Sequence, residues 1–430
     1  MQRRVLHHFK SRVGIRYLHV GALLCALIGM PTSADEGEVE REFASIVNLQ
    51  DEREALQALE GFVQRFPDYD EGWIRLAWFR AYRIAPAQPG REQRWALIAE
   101  SIADLRDKAI PHRATDKLYR ELTWHFIHRI PGEFDPNHGY YKYMFAKEWE
   151  RIVGPTRDGT AEQTVRVFEP IATMYTKYIK ARRSASLDQL IGELADQEPS
   201  VRKEVDSLSR ESRTPDRSLL DLADASPPTP PRAKLLALIR AHTIVHDYHM
   251  DPAEMLELME GAWTSSAEPR VPLPVPLDWR SPGAHGLYWA YRQLKLAIGQ
   301  NNGQPPSVLQ AVGDNTVSPQ IHHSLDLLLH HGHIELDGAR QYAHCTTDTR
   351  YVGILNSFHL ARLRNVTHNP KADAKDREFV EHNYGYFLQE VVDLYEGTGD
   401  QKSAWFYRQL MTRVRGKDSS PRASPSANIP

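Results

Sequence analysis

Apolar residues along this chain recur mostly at steps of three and four, the spacing of a helix face, and polar or proline-bearing breaks divide them into segments. The stretch from Ala55 to Ala77, ALQALEGFVQRFPDYDEGWIRLA, sets the pattern. Ala55, Leu59 and Phe62 share one face of a helix that Pro67 stops, and Trp73, Leu76 and Ala77 begin the next. A further helix carries Trp95, Ile98, Ala99, Ile102 and Leu105 and closes at Pro111, after a break over Ile84 to Glu92. A third hairpin pairs LYRELTWHFIHRI, with Leu118, Leu122 and Phe126 in phase, and YYKYMFAKEWERIVG, with Tyr141, Phe145, Trp149 and Ile152 in phase. Asp135-Pro136 offers a cap and a first-turn proline for the second of these. Later starts are read at Asp251-Pro252, Ser281-Pro282 and Ser318-Pro319. The face after Ser281-Pro282 is Leu287, Tyr291, Leu294 and Ile298, and the face after Ser318-Pro319 is Ile321, Leu325 and Leu328. Val/Ile/Thr alternation is too sparse for an all-β or doubly wound fold, so the expected class is all-α.

The phase of Ala55, Leu59, Phe62, Pro67, Trp73, Leu76 and Ala77 resembles the junction between two tetratricopeptide repeats, helical hairpins of about 34 residues. Near the end, Tyr395, Gly399, Asp400 and Ala404 take the aromatic, turn and small-residue places of such a hairpin, though Arg408 stands where an aromatic is usual. The resemblance implies an α-solenoid, here expected in two lobes, residues 36–153 and 232–415. Between them, residues 154–231 read as a charged, partly helical connector containing the Pro-rich ASPPTPP. The extended PRVPLPVPLDW (Pro269–Trp279) lies within the second lobe. Residues 65–155, and more faintly LDWRSPGAHGLYWAY, also resemble uncharacterised exported proteins of planctomycete-type bacteria, a likeness that implies export and helical repeats but no activity.

The ends change the picture of location. Residues 1–34 read as a secretory signal: Arg3, Arg4, Lys10, Arg12 and Arg16 without an acid, an apolar run from Val20 to Met30, and Thr32-Ser33-Ala34 before Asp35. Periplasmic export follows, with an uncleaved membrane anchor, and so a tethered assembly factor, as the alternative. Without those five cations the 53 Lys+Arg become 48 against 56 Asp+Glu, a mildly acidic chain ill-suited to nucleic acid. Beyond the signal no membrane span is expected. Of the two cysteines, Cys25 lies in the apolar run, which leaves Cys345 without an intrachain disulfide partner. The Ser/Pro-rich tail 416–430 reads as disordered.

Candidate chemistry is confined to histidine, of which there are 20. His242, His246 and His249 fall at steps of four and three, on one helix face, and two imidazoles four apart can share a transition metal such as zinc. The same face continues Leu235, Leu238 and Ile239, which favours packing over a metal. His322, His323, His330, His331 and His333 form a second group, with His330 and His331 placed to cap a helix end before Gly332. His344 and Cys345 are adjacent, a poor geometry for a thiol–imidazole pair on a helix. No nucleophile elbow, phosphate loop or paired CxxC occurs. The expected function is therefore a non-enzymatic binding or scaffold protein without a cofactor that grips a protein or peptide. Its candidate binding residues are Trp73, Arg80, Tyr119 and Trp124 on first helices, which line the concave face of such solenoids, and Asp135 and His138 in a loop. A metal-binding protein or metal-dependent enzyme using His242, His246 and His249 is the alternative.

Overall fold

The computed structural model describes residues 36–154, 160–211, 220–221, 229–260, 263, 274–299, 308, 317–369 and 372–415. The expected signal, Cys25, most of ASPPTPP, the start of PRVPLPVPLDW and the tail lie outside these residues. The described residues are almost entirely helical, as the apolar spacing predicts. The chain divides into two compact units, Met1–Phe66 and Pro67–Pro430.

In the first unit, α1 (Glu36–Val47) packs on α2 (Glu52–Arg65). The Asp51 carboxylate caps α2 by accepting from the amides of Arg53 and Glu54. The Phe43 and Phe62 rings meet at 5.5 Å, and Arg65 pairs with Glu42 across the hairpin. The helix stops at Arg65, just before Pro67.

The second unit opens with α3 (Asp70–Phe79), α4 (Arg91–Ala103), α5 (Asp116–Trp124) and α6 (His138–Val153), followed by α7 (Ala161–Met174). Four of these run on into π-helical turns: Arg80–Ile84 after α3, Asp104–Ala109 after α4, His125–Arg129 after α5 and Tyr175–Ile179 after α7. Here the amide reaches five residues back, as Ile130 does to His125 at 3.2 Å. Pro86, Pro111 and Pro131 follow the first three turns closely. A proline ring crowds the carbonyl four residues back, and the wider turn relieves that crowding. The fourth turn has no such proline, and nothing in its sequence accounts for it.

The stretch read as a connector supplies α7, α8 (Leu187–Gln197) and α9 (Pro199–Glu211). They pack on one another or on α10 (Pro230–Tyr248), with Phe168, Ile171, Leu190, Leu194 and Val201 buried. Next come α11 (Pro252–Glu260), α12 (Pro282–Gly299) and α13 (Ser318–His331). After α13 a two-stranded antiparallel hairpin interrupts the helices: β1 (His333–Asp337) and β2 (Tyr342–Thr346) pair with Ile334 opposite Cys345. It packs on α6 through Tyr143, Ala146, Ile334 and Ala343. The helices α14 (Val352–His368), α15 (Ala374–Gly397) and α16 (Gln401–Arg415) complete the unit, each packed on the one before, with α14 on α13.

The segments LYRELTWHFIHRI and LDWRSPGAHGLYWAY form one core, because α5 and its π turn lie along α12. Tyr119 stacks on Trp289 at 6.0 Å and Phe126 on His285 at 5.2 Å. Glycine permits this approach. A Cβ at Gly286 would stand 2.4 Å from Ile127 Cγ2 on one side and 2.8 Å from Ser324 Oγ of α13 on the other. Helix α12 is thus a close-fitting wedge that sets α5 and α13 side by side.

Candidate functional site

The expected binding residues divide between interior and surface. Trp73 is buried and donates its indole N–H to the Pro67 carbonyl at 2.9 Å. Arg80 is buried against Asp104, with Glu100 at 3.3 Å, so its charge is spent inside the helix pair. Tyr119 is buried on Trp289. Asp135 is buried as well: its carboxylate accepts from the Asn137 amide at 3.0 Å, the Tyr141 hydroxyl at 2.9 Å and Arg129 at 3.0 Å. Burial works against ionisation there, but those donors win and hold its carboxyl below the usual range. These four side chains are not placed to touch a partner. His138 opens α6 half-buried, its ring pushed toward the neutral form by burial and by Lys142. Trp124 alone of the six stands at the surface, 38% exposed.

Around Trp124 the chain assembles an aromatic ladder. Trp124 stacks on His128 at 4.5 Å, and His128 stacks on Phe134 at 4.9 Å. Tyr82 continues the row, its hydroxyl 3.1 Å from His128 Nδ1 and its ring stacked on Trp78 at 5.9 Å. Trp78 and Phe134 are 37% and 56% exposed, large apolar rings left in water beside one another's neighbours. The ladder rests on Arg129, which is fully buried and donates to the Ala81 carbonyl at 2.7 Å and to Asp135. Its guanidinium lies 5.6 Å from the centres of both the Tyr82 and Phe134 rings. Gly132 lets the turn after α5 fold back tightly, since a Cβ there would meet the Phe134 ring at 2.2 Å and the His128 carbonyl at 2.4 Å.

Beside the ladder an open groove of about 290 Å³ runs between α5 and α13. Trp124, Ile127 and His128 line one wall; His323, Asp326, Leu327, His330 and His331 line the other. The two histidines expected to cap α13 are shifted in opposite directions. His330 Nε2 sits 3.4 Å from Asp326 and 3.1 Å from Glu390 of α15, and the hydrogen bond to Asp326 raises its pKa. His331 is driven down to about 4 by burial and by Lys142 nearby. Burial raises the Asp326 carboxyl, but the hydrogen bond and charge of His330 outweigh it and keep the group ionised.

Below the ladder sits a second polar pair. Burial pushes Glu121 up to about 7 and His125 down to about 4. His125 Nδ1 donates to the Glu121 carbonyl at 3.0 Å. His125 is neutral through the neutral range, while Glu121 holds its proton only below about 7.

His242 and His246 stack at 4.1 Å, half-buried and shifted toward neutrality by burial. His249 does not extend their face: it follows the last residue of α10 in a left-handed conformation (φ 52°), where its amide closes the helix end on Ile244. Among the described residues no group of three His, Cys, Asp or Glu is placed to hold a metal ion. His344 and Cys345 are adjacent on β2 and so point to opposite faces, and burial pushes the Cys345 thiol up. No helix among the described residues is long and apolar enough to cross a membrane.

Trp78, Tyr82, His128 and Phe134 escaped the reading of the sequence. A signal was there for Trp78, which falls out of phase with the buried Trp73, Leu76 and Ala77 and so had to face away from that core. No known protein family matches the chain, and no curated protein or solved structure is found similar to it.

Proposed function

We propose that this is an exported, non-enzymatic binding protein of tetratricopeptide-like hairpins. Its partner is a protein segment seated on the ladder from Trp78 to Trp124 and in the adjoining groove. The observation that carries this reading is the ladder itself: exposed Trp78, Trp124 and Phe134 in one stacked row, held from beneath by the buried Arg129. Pre-positioned aromatic rings lose little conformational freedom on binding and anchor most interface energy. Sequential packing of α12 through α16 supports the repeat-like reading, with residues 36–153 and 232–415 as its two lobes. Export rests on the charge and apolar pattern of residues 1–34.

The test is a photo-crosslinking amino acid in place of Phe134, expressed in the cell of origin and irradiated. Covalent polypeptide adducts are expected at position 134 and not at Trp405, an exposed tryptophan on α16. Absence of adducts at 134 refutes the binding surface. Sequencing the amino terminus of the recovered protein checks export: a start at Asp35 supports it, and a retained Met1 contradicts cleavage.

A further inference from the structure

We propose that the groove between α5 and α13 receives the cationic end of a lysine or arginine side chain from an extended protein segment. The proposal rests on the binding-surface reading above and specifies its chemistry. Trp124 has one ring face against His128 and is 38% exposed on the remainder, beside the groove. An aromatic face attracts a cation through its quadrupole, and this surface already uses that contact: the Arg75 guanidinium lies 5.1 Å from the centre of the Trp78 ring. The groove's fixed charge has the complementary sign. Asp326 faces it, and Asp326 and Glu390 share the one imidazole of His330, so the set stays net negative whichever state His330 holds. Of the other imidazoles in the lining, His128 and His331 are held toward neutrality by burial and by Arg129 and Lys142 respectively, and His323 stands beside Asp326 on the same wall. Lys142 approaches His331 Nδ1 at 3.5 Å but is itself buried and does not line the groove.

Other occupants fit less well. A carboxylate would meet Asp326. A metal ion would need three ligands that the described residues do not bring together. A purely apolar side chain would take water from Asp326 and give nothing back. A cationic side chain satisfies the carboxylate with its head and the Trp124 ring with its face, while its stem covers Ile127 and Leu327.

Fluorescein-labelled peptides of equal length, with Gly-Ser spacers and lysine, alanine or glutamate at alternate positions, are titrated with the full chain at physiological ionic strength and followed by anisotropy. The lysine peptide is expected to bind about tenfold more tightly than the alanine peptide, the size of a partly desolvated cation–π contact, and the glutamate peptide more weakly still. Trp124→Ala alters no charge, so a loss of about tenfold for the lysine peptide in that variant separates the ring contact from general attraction to an acidic chain. Trp405→Ala leaves binding unchanged. Equal binding of the lysine and alanine peptides, preference for glutamate, or indifference to Trp124→Ala overturns the proposal. Failure of all three peptides while position 134 still forms polypeptide adducts overturns the cationic assignment and leaves the binding surface standing.

Discussion

Removing one buried imidazole should change how steeply the protein loses stability in acid. His285 is enclosed by Phe126, Phe145, Trp149 and Trp279, is 1% exposed, and accepts no charge there: burial drives its pKa down to about 3. Its Nε2–H donates to the Trp279 carbonyl at 3.0 Å, a bond that favours the protonated ring but does not offset burial. His359 and His125 are also buried and held down, to about 3 and about 4. The unfolded chain takes up these protons near the ordinary value of 6.5, while the folded chain refuses them. Stability is therefore complete above 6.5 and falls as pH drops below it, until the folded values are reached. At about 1.4 kcal/mol per proton and pH unit, each ring costs about 2 kcal/mol between pH 6.5 and 5, or about 6 kcal/mol for the three. Glu121 works the other way. Its folded pKa of about 7 exceeds the ordinary 4.5, so it holds a proton that the unfolded chain lacks and returns about 2 kcal/mol over the same range. The net loss of about 4 kcal/mol is a large part of an ordinary stability of about 5–15 kcal/mol. His322 and His331 add to the loss and His330 subtracts from it. The assay is urea unfolding at a series of pH values from 7.5 to about 5. His285→Gln keeps a donor for the Trp279 carbonyl and does not titrate, so its stability should fall less steeply, by about 1.4 kcal/mol per pH unit. A wild-type stability that is flat over this range, or a slope unchanged in the variant, refutes the reasoning.

Gly286→Ala should destabilise by about 1–2 kcal/mol, since crowding against Ile127 and Ser324 outweighs the helix-propensity gain of alanine; combining it with Ile127→Ala should cost less than the sum, read as coupling in a double-mutant cycle by urea unfolding. Arg80→Met should cost about 3 kcal/mol because it strands the buried Asp104 carboxylate with Lys108 alone, and adding Asp104→Leu should recover much of the loss in the same assay. Cys345, whose thiol is raised by burial, should react with iodoacetamide at neutral pH about tenfold more slowly in the folded chain than in urea, as counted by mass spectrometry.

The helices were readable because their buried faces keep strict phase. Leu118, Leu122 and Phe126, or Leu287, Tyr291 and Leu294, are all interior where the spacing puts them. Pro67 and Pro111 also end helices near the expected places. The π turns left no trace in periodicity, since one added residue per turn shifts phase only locally. The β1–β2 hairpin is short, and two alternating apolar residues, Ile334 and Leu336, are too few to mark a strand by period. Arg80 lies four positions after Leu76, on the core side of its helix; only its pairing with Asp104 makes that burial tolerable, and a pairing across helices is not written in either segment alone. The ladder depends on the same kind of long-range meeting. Trp78 and Tyr82 come from α3 and its π turn, Trp124 and His128 from α5 and its π turn, and Phe134 from the loop after them.

The most direct measurement is oxidative footprinting of tryptophan, comparing the purified chain with the same chain in an extract of the compartment that holds it. The account predicts that Trp78 and Trp124 lose reactivity in the extract while Trp405 keeps its own, because only the first two belong to the occupied surface. Unchanged reactivity of Trp78 and Trp124, with or without a change at Trp405, contradicts it.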